Sequence, residues 1–124
     1  MAADPERIRE VVNRYVELVG SGTSEEIVAL YAEGATVEDP VGSEVLSDRD
    51  GIRAFYAGLD GLEKDTRLVT VRIAGGAAAF HFEVGTHVGE QTYTVTPIDV
   101  MTFDDDGLIT SMKAFWGDAD MVSA

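Results

Sequence analysis

The chain has 124 residues, with 9 basic against 23 acidic side chains, a formal net charge of −14 and no cysteine. That length suits one domain, expected over residues 1–124, and the acidity argues against nucleic acid or an anionic membrane surface as partner, because counterion release needs clustered Lys and Arg. The lack of cysteine excludes disulfides, thiolate metal sites and a cysteine nucleophile. A 45% hydrophobic, 26% charged composition is that of a globular chain. No apolar run approaches the ~20 residues of a membrane span. The N-terminal MAADPERIRE is charged where a signal peptide has an apolar core, so a cytoplasmic protein is expected.

In chain order, Asp4-Pro5-Glu6 gives a helix start, with a cap, a proline in the first turn and an acid behind it. Ile8, Val11, Val12, Tyr15, Leu18 and Val19 follow as one helical stripe, stopped by Gly20-Ser21-Gly22. Thr23 and Glu26 have capping-box spacing and predict a second helix carrying Ile27, Leu30 and Tyr31. Residues 35–39 read as a short strand ended by Pro40. Ser47 and Asp48 can cap a third helix with Ile52, Phe55, Tyr56 and Leu59 on one face. After Gly61 the period falls to two, and strands are expected at about 66–73, 77–88, 91–103 and 108–116, with hairpin turns at Gly75-Gly76, Gly89-Glu90 and Asp105-Asp106-Gly107. Three helices followed by long antiparallel strands predict an α+β fold, with the sheet curled around the helices and a pocket between them.

Strand phase points to chemistry. Along 91–103 the odd face, Tyr93, Val95, Pro97, Met101 and Phe103, is the more apolar, and Asp99 lies within it with no Lys or Arg beside it. A carboxyl there is costly when charged, and burial favours its neutral acid. The other reading of Asp99 is a backbone cap or a solvated bend. Asp39 shares a phase with Ala35 and Val37, although a residue before proline is also a common turn residue. Phe80, Phe82, Val84 and Thr86 fall on one face of strand 77–88, and Leu108, Thr110, Met112, Ala114 and Trp116 on the inward face of strand 108–116. Tyr15, Tyr31 and Tyr56 fall on apolar helix stripes, where each hydroxyl needs a partner. His81, Glu83 and His87 share the opposite face of their strand in a spacing that matches no standard metal site, so this reads as a solvated face and no metal is expected. The chain has no P-loop, no G-x-S-x-G and no G-x-G-x-x-G, and neither histidine falls on a pocket face.

These segments together resemble the ketosteroid isomerases, the steroid Δ5-Δ4-isomerases. The matching pieces are Arg14-Tyr15-Val16-Glu17-Leu18-Val19, Tyr31-Ala32, Val37-Glu38-Asp39-Pro40, Ala54-Phe55-Tyr56, Ile98-Asp99-Val100-Met101 and Phe115-Trp116, in family order over about residues 9–117. The resemblance implies a cone-shaped α+β fold shared with nuclear transport factor 2, in which three N-terminal helices pack in a curved, mainly antiparallel sheet. It implies a cofactor-independent shift of a steroid C=C bond from the 5,6 to the 4,5 position. In that reaction Asp39 is the base, and Tyr15 and a protonated Asp99 are the two donors to the oxyanion. It places Tyr31, Tyr56 and Trp116 in a supporting hydrogen-bond network, and Phe55, Phe82, Val84, Met101 and Met112 against the substrate. It also implies a homodimer formed through the outer sheet face. Two parts of that face are candidates, the even face of strand 91–103 and the face with His81, Glu83 and His87. A polyketide cyclase-like or epoxide hydrolase-like enzyme, or a non-catalytic carrier of apolar ligands, are the alternatives within the same fold.

Overall fold

The computed structural model describes residues 3–124; the first two residues of the expected domain lie outside the described residues. The first helix, α1 (Pro5–Ser21), starts where the sequence places it. The Asp4 side chain accepts the Glu6 N–H at 2.8 Å, and Pro5 occupies the first turn. Its buried stripe runs Ile8, Val11, Val12, Tyr15, Val16, Leu18 and Val19. The stripe lies on the sheet so closely that a β-carbon at Gly20 would sit 2.6 Å from Thr66 Oγ1, a hydroxyl that donates to the Val16 carbonyl at 2.7 Å. This contact seats the C-terminal half of α1, and with it Tyr15, on the sheet.

The expected capping box of Thr23 and Glu26 opens α2 (Ser24–Val28). That helix is shorter than its apolar pattern suggests. Tyr31, expected on the helix, instead begins strand β1 (Tyr31–Glu38), where it stands opposite Ile109. The Leu30 carbonyl accepts the Ile109 N–H at 2.9 Å, so pairing with a distant strand overrides the local helical pattern. Asp48 caps α3 (Arg49–Ala57), accepting the Gly51 N–H at 2.6 Å; Leu59, expected on this helix, lies in the turn beyond it.

The remaining strands are β2 (Glu63–Ala74), β3 (Ala77–Val88), β4 (Gln91–Val95), β5 (Ile98–Phe103), β6 (Ile109–Phe115) and β7 (Met121–Ser123). All seven strands form one open, curved sheet in the order β1-β6-β5-β3-β4-β7, with β2 on the other side of β3. The β1–β6 pair is parallel and the other pairs are antiparallel, so the sheet is mixed. With its three helices, this is the expected α+β architecture.

Two strand expectations need correction. The strand expected over 91–103 is interrupted at Thr96-Pro97, because proline brings no N–H to the ladder. The two halves run in line along β3, β5 beside Ala77–His81 and β4 beside Val84–Val88, and the break frees β4 to pair with β7. In β6 the expected even inward phase holds from Met112 to Trp116 but fails before it. Thr102 faces Ser111 while Phe103 faces Ile109, so Thr110 is an extra residue, and Ile109 rather than Leu108 is fully buried. The two candidate outer faces prove to be one. His87 pairs with Thr92 and Gly85 with Thr94, so both sets of side chains belong to the same side of the sheet. Among the described residues no helix is long and apolar enough to cross a membrane.

Phe80 is buried at the centre of the sheet, with its ring 6.1 Å from Tyr15 and 5.4 Å from Phe82, edge-on to the first and tilted to the second. Replacing it by alanine should cost about 3–5 kcal/mol, by lost transfer energy and the cavity left behind. Urea unfolding measures this, and a loss below about 1 kcal/mol would contradict the described packing.

Candidate active site

Between α1, α3 and the concave side of the sheet lies a cavity of about 240 Å³. One wall comes from the inward residues of β3, Phe82, Val84 and Thr86, and the opposite one from Val19, Phe55 and Leu59. Val95 and Pro97 complete the apolar lining at the β4–β5 break. Into this lining project Tyr15, Tyr56, Asp39, Asp99 and Trp116. Most of the side chains selected from the sequence are thus brought to one place, by α1, α3 and the ends of β1, β5 and β6.

Asp99 is placed by the inward phase of β5, between Phe80 on β3 and Ala114 on β6. It is 1% exposed, and its Oδ1 has no hydrogen-bond partner. Burial pushes its carboxyl well above the ordinary carboxylate range, and the negative charge of Asp39 pushes it further the same way. The backbone-cap and solvated-bend readings of this residue do not hold.

Asp39 directly follows β1, and Trp116 directly follows β6. Parallel pairing sets Val37 beside Met112 and Glu38 beside Lys113, and the Val41 N–H donates to the Ala114 carbonyl at 2.8 Å. Two strand ends held in this way bring the indole N–H of Trp116 to Asp39 Oδ1 at 2.8 Å. Asp39 is half-buried. Burial raises its carboxyl above the usual range, and the indole hydrogen bond lowers it in part. The two carboxyls therefore differ in kind, one buried and unpaired, the other half-buried and partly compensated by the indole.

The tyrosines form a chain. The Tyr56 hydroxyl lies 2.9 Å from that of Tyr15 and 2.7 Å from that of Tyr31. All three are buried, and burial is the main reason that each phenol is held well above its usual range. Tyr31 joins this chain from a strand and does not line the cavity.

Two residues expected against the substrate are not part of the cavity wall. Met101 and Met112 are fully buried, face each other across β5 and β6, and do not line the cavity. These side chains fill the buried core beside the site. Val19, Leu59, Thr86, Val95 and Pro97 do line it, although the sequence reading placed them only on inward faces without assigning them to the site. On the outer side of the sheet, His87 Nε2 meets Asp65 Oδ2 at 2.6 Å and its Nδ1 meets Thr92 Oγ1 at 3.0 Å, while Arg67 pairs with Glu83. Among the described residues no cluster of three or more His, Asp or Glu side chains is arranged to hold a metal.

A curved mixed sheet packed against three helices, with an apolar, acid-bearing cavity between the sheet, α1 and α3, is the architecture of the nuclear transport factor 2-like class. A SnoaL-like domain model matches residues 12–112. Over 115 residues the chain is 50% identical to a steroid Delta-isomerase of Nocardioides simplex, covering 93% of this chain and 94% of that one. The chain belongs to the SnoaL-like domain family and, within its fold, to the same family as that isomerase, the family its sequence motifs resemble. It also matches the solved structure of SalBIII with a TM-score of 0.87 and 27% identity, over 95% of this chain and 96% of that one. SalBIII is described as an epoxide hydrolase/cyclase-like enzyme with a role in pyran ring formation in the polyether salinomycin.

Because the folded-state pKa of Asp99 is raised, the folded chain holds a proton that the unfolded chain releases near pH 3.9. From about that pH up to its folded pKa, the group therefore removes stability as pH rises. Asp99→Asn lacks this penalty. Its melting temperature minus that of the wild type should grow from about pH 4 upward and then level off. Parallel melting curves for the two proteins across this range would show that Asp99 is not held neutral.

Proposed function

We propose that the protein isomerises 3-oxo-Δ5 steroids to 3-oxo-Δ4 steroids without a cofactor. The observation that carries this reading is the pair of unequal carboxyls in one apolar cavity, the deeper one without a hydrogen-bond partner. The 50% identity to a steroid Delta-isomerase supports it.

In this reading Asp39 is the base. It removes a proton from C4, next to the carbonyl, and the electron pair moves through the ring to leave a dienolate with its charge on the C3 oxygen. The same carboxyl, now protonated, returns the proton at C6, and the double bond comes to rest between C4 and C5. A carboxylate suits this shuttle because it is a weak enough base to give the proton back. Burial raises its basicity, while the Trp116 hydrogen bond keeps the ionised form accessible. The C3 oxygen gains charge in the transition state and needs donors fixed beforehand in a water-poor place. Tyr15 provides a phenol whose other neighbour is Tyr56, and Asp99 provides an acid proton because its surroundings hold it neutral.

The second reading is a cyclase-like or epoxide hydrolase-like enzyme, favoured by the match to SalBIII. There a neutral Asp99 would protonate an epoxide oxygen, and no enone would form. A carrier gains nothing from an unpaired acid in an apolar cavity. The test that separates the readings adds a 5-ene-3-oxo steroid to the protein and follows the ultraviolet absorbance of the conjugated enone. Asp39→Asn should abolish the rise while retaining affinity for a steroid phenol. Tyr15→Phe and Asp99→Leu should each slow turnover by about 10²–10³, as loss of one oxyanion donor does, and Tyr56→Phe should slow it less. Turnover by Asp39→Asn at the wild-type rate would remove Asp39 as the base. No turnover by a folded wild type that binds the phenol would favour the carrier or the cyclase-like enzyme.

The outer face of the sheet supports a homodimer. Ile98 and Phe115 stand opposite each other there and are 48% and 47% exposed. Replacing both by serine should shift the mass measured by light scattering from two chains to one. A wild-type protein that runs as one chain at micromolar concentration would end this reading.

A further inference from the structure

We infer that Thr86 is a specificity-determining residue, whose hydroxyl recognises an oxygen substituent at the end of the ligand farthest from the Tyr15–Asp99 pair. The inference rests on the proposed function for the identity of that ligand, and on the cavity alone for the polar contact.

Along β3 the inward side chains run Phe82, Val84, Thr86. The Phe82 ring packs 6.3 Å from Tyr15, at the polar end of the cavity. Thr86 is four residues further along the strand, about 13 Å at the usual rise. Between them the wall is apolar. Thr86 is the one polar side chain lining the cavity besides the tyrosines, the two carboxyls and Trp116. Among the described residues its hydroxyl has no hydrogen-bond partner. Lys64, its cross-strand neighbour on β2, does not take it and gives its ammonium to the Leu59 and Leu62 carbonyls at 2.7 and 3.0 Å.

Size puts the far end of a ligand at this point. A cavity of about 240 Å³ is smaller than the roughly 300–1,000 Å³ typical of ligand pockets. A rigid four-ring ligand with its enone oxygen at Tyr15 therefore does not fit wholly inside. Its last ring stands at the mouth, against Leu59, Val95 and Thr86. An alkyl chain there leaves the hydroxyl covered and unpaired, whereas a ketone or hydroxyl pairs with it. The chain's net charge of −14 favours a neutral oxygen over an anionic group.

The test uses paired probes. Two 3-oxo-Δ5 steroids, identical except for a ketone or no oxygen on the five-membered ring, are compared in kcat/KM. The same pair of far ends is compared on steroid phenols by equilibrium binding to the same proteins. The wild type should favour the oxygenated member by about threefold to tenfold, the worth of one neutral hydrogen bond. Thr86→Val, of nearly the same shape, should bring that ratio close to one through KM, and Thr86→Ser should keep it. A ratio that survives in Thr86→Val, or a wild type without preference, overturns the assignment. If no steroid is turned over, the proposed function fails, and the ratio of phenol affinities still decides the role of Thr86.

Discussion

Asp99 is buried with no hydrogen-bond partner for its Oδ1 and no cation paired to it, and the floor of the cavity is organised around that fact. An ionised carboxyl taken out of water costs several kcal/mol when unpaired, far more than any one neutral hydrogen bond returns. Burial shifts the balance toward the neutral acid. The apolar packing of Phe80, Phe82, Met101 and Ala114 around β5 is therefore more than stability. It pushes the pKa of the Asp99 carboxyl upward, toward the neutral acid. Substitutions that admit water beneath the cavity would act on the chemistry without touching a ligand.

The three tyrosines extend the same logic. Tyr56 sits between two hydroxyls, and a phenol has a single proton to give. When a ligand oxygen takes the proton of Tyr15, one ordering of the chain satisfies every member: Tyr31 donates to Tyr56, and Tyr56 donates to Tyr15. Buried hydrogen bonds aligned in this way strengthen one another. The three phenols come from α1, α3 and β1, so the chain also ties both helices to the sheet at the depth of the cavity.

Local chemistry was legible where it depends on neighbours in sequence. The caps of α1, α2 and α3 and the hairpins around Gly75-Gly76 and Gly89 lie where their residue types demand. The inward phase of Asp99 follows from alternation alone, and the family motifs select the residues that the cavity then gathers. What stayed hidden depends on partners distant in the chain. Tyr31 has a helical neighbourhood and a strand conformation because Ile109 pairs with it. The bulge at Thr110 reverses the phase of one end of β6, and no local signal marks it. Met101 and Met112 have the correct phase for the cavity, but phase does not reveal how far along a strand the cavity extends. Short β7 has three exposed residues and no apolar pattern to announce it.

The strand that delivers Asp39 is also the outermost strand on its side of the sheet. An outer strand exposes unpaired backbone groups on which a foreign strand can add, the first step in many aggregates. Here the segment after Pro40 turns back so that Leu46 and Val37 exchange both backbone hydrogen bonds, at 2.8 and 2.9 Å. The return costs no separate element of structure. It pairs the outer edge of β1 at Val37, two residues before Asp39, so the edge beside the carboxylate is covered there and not open to an added strand.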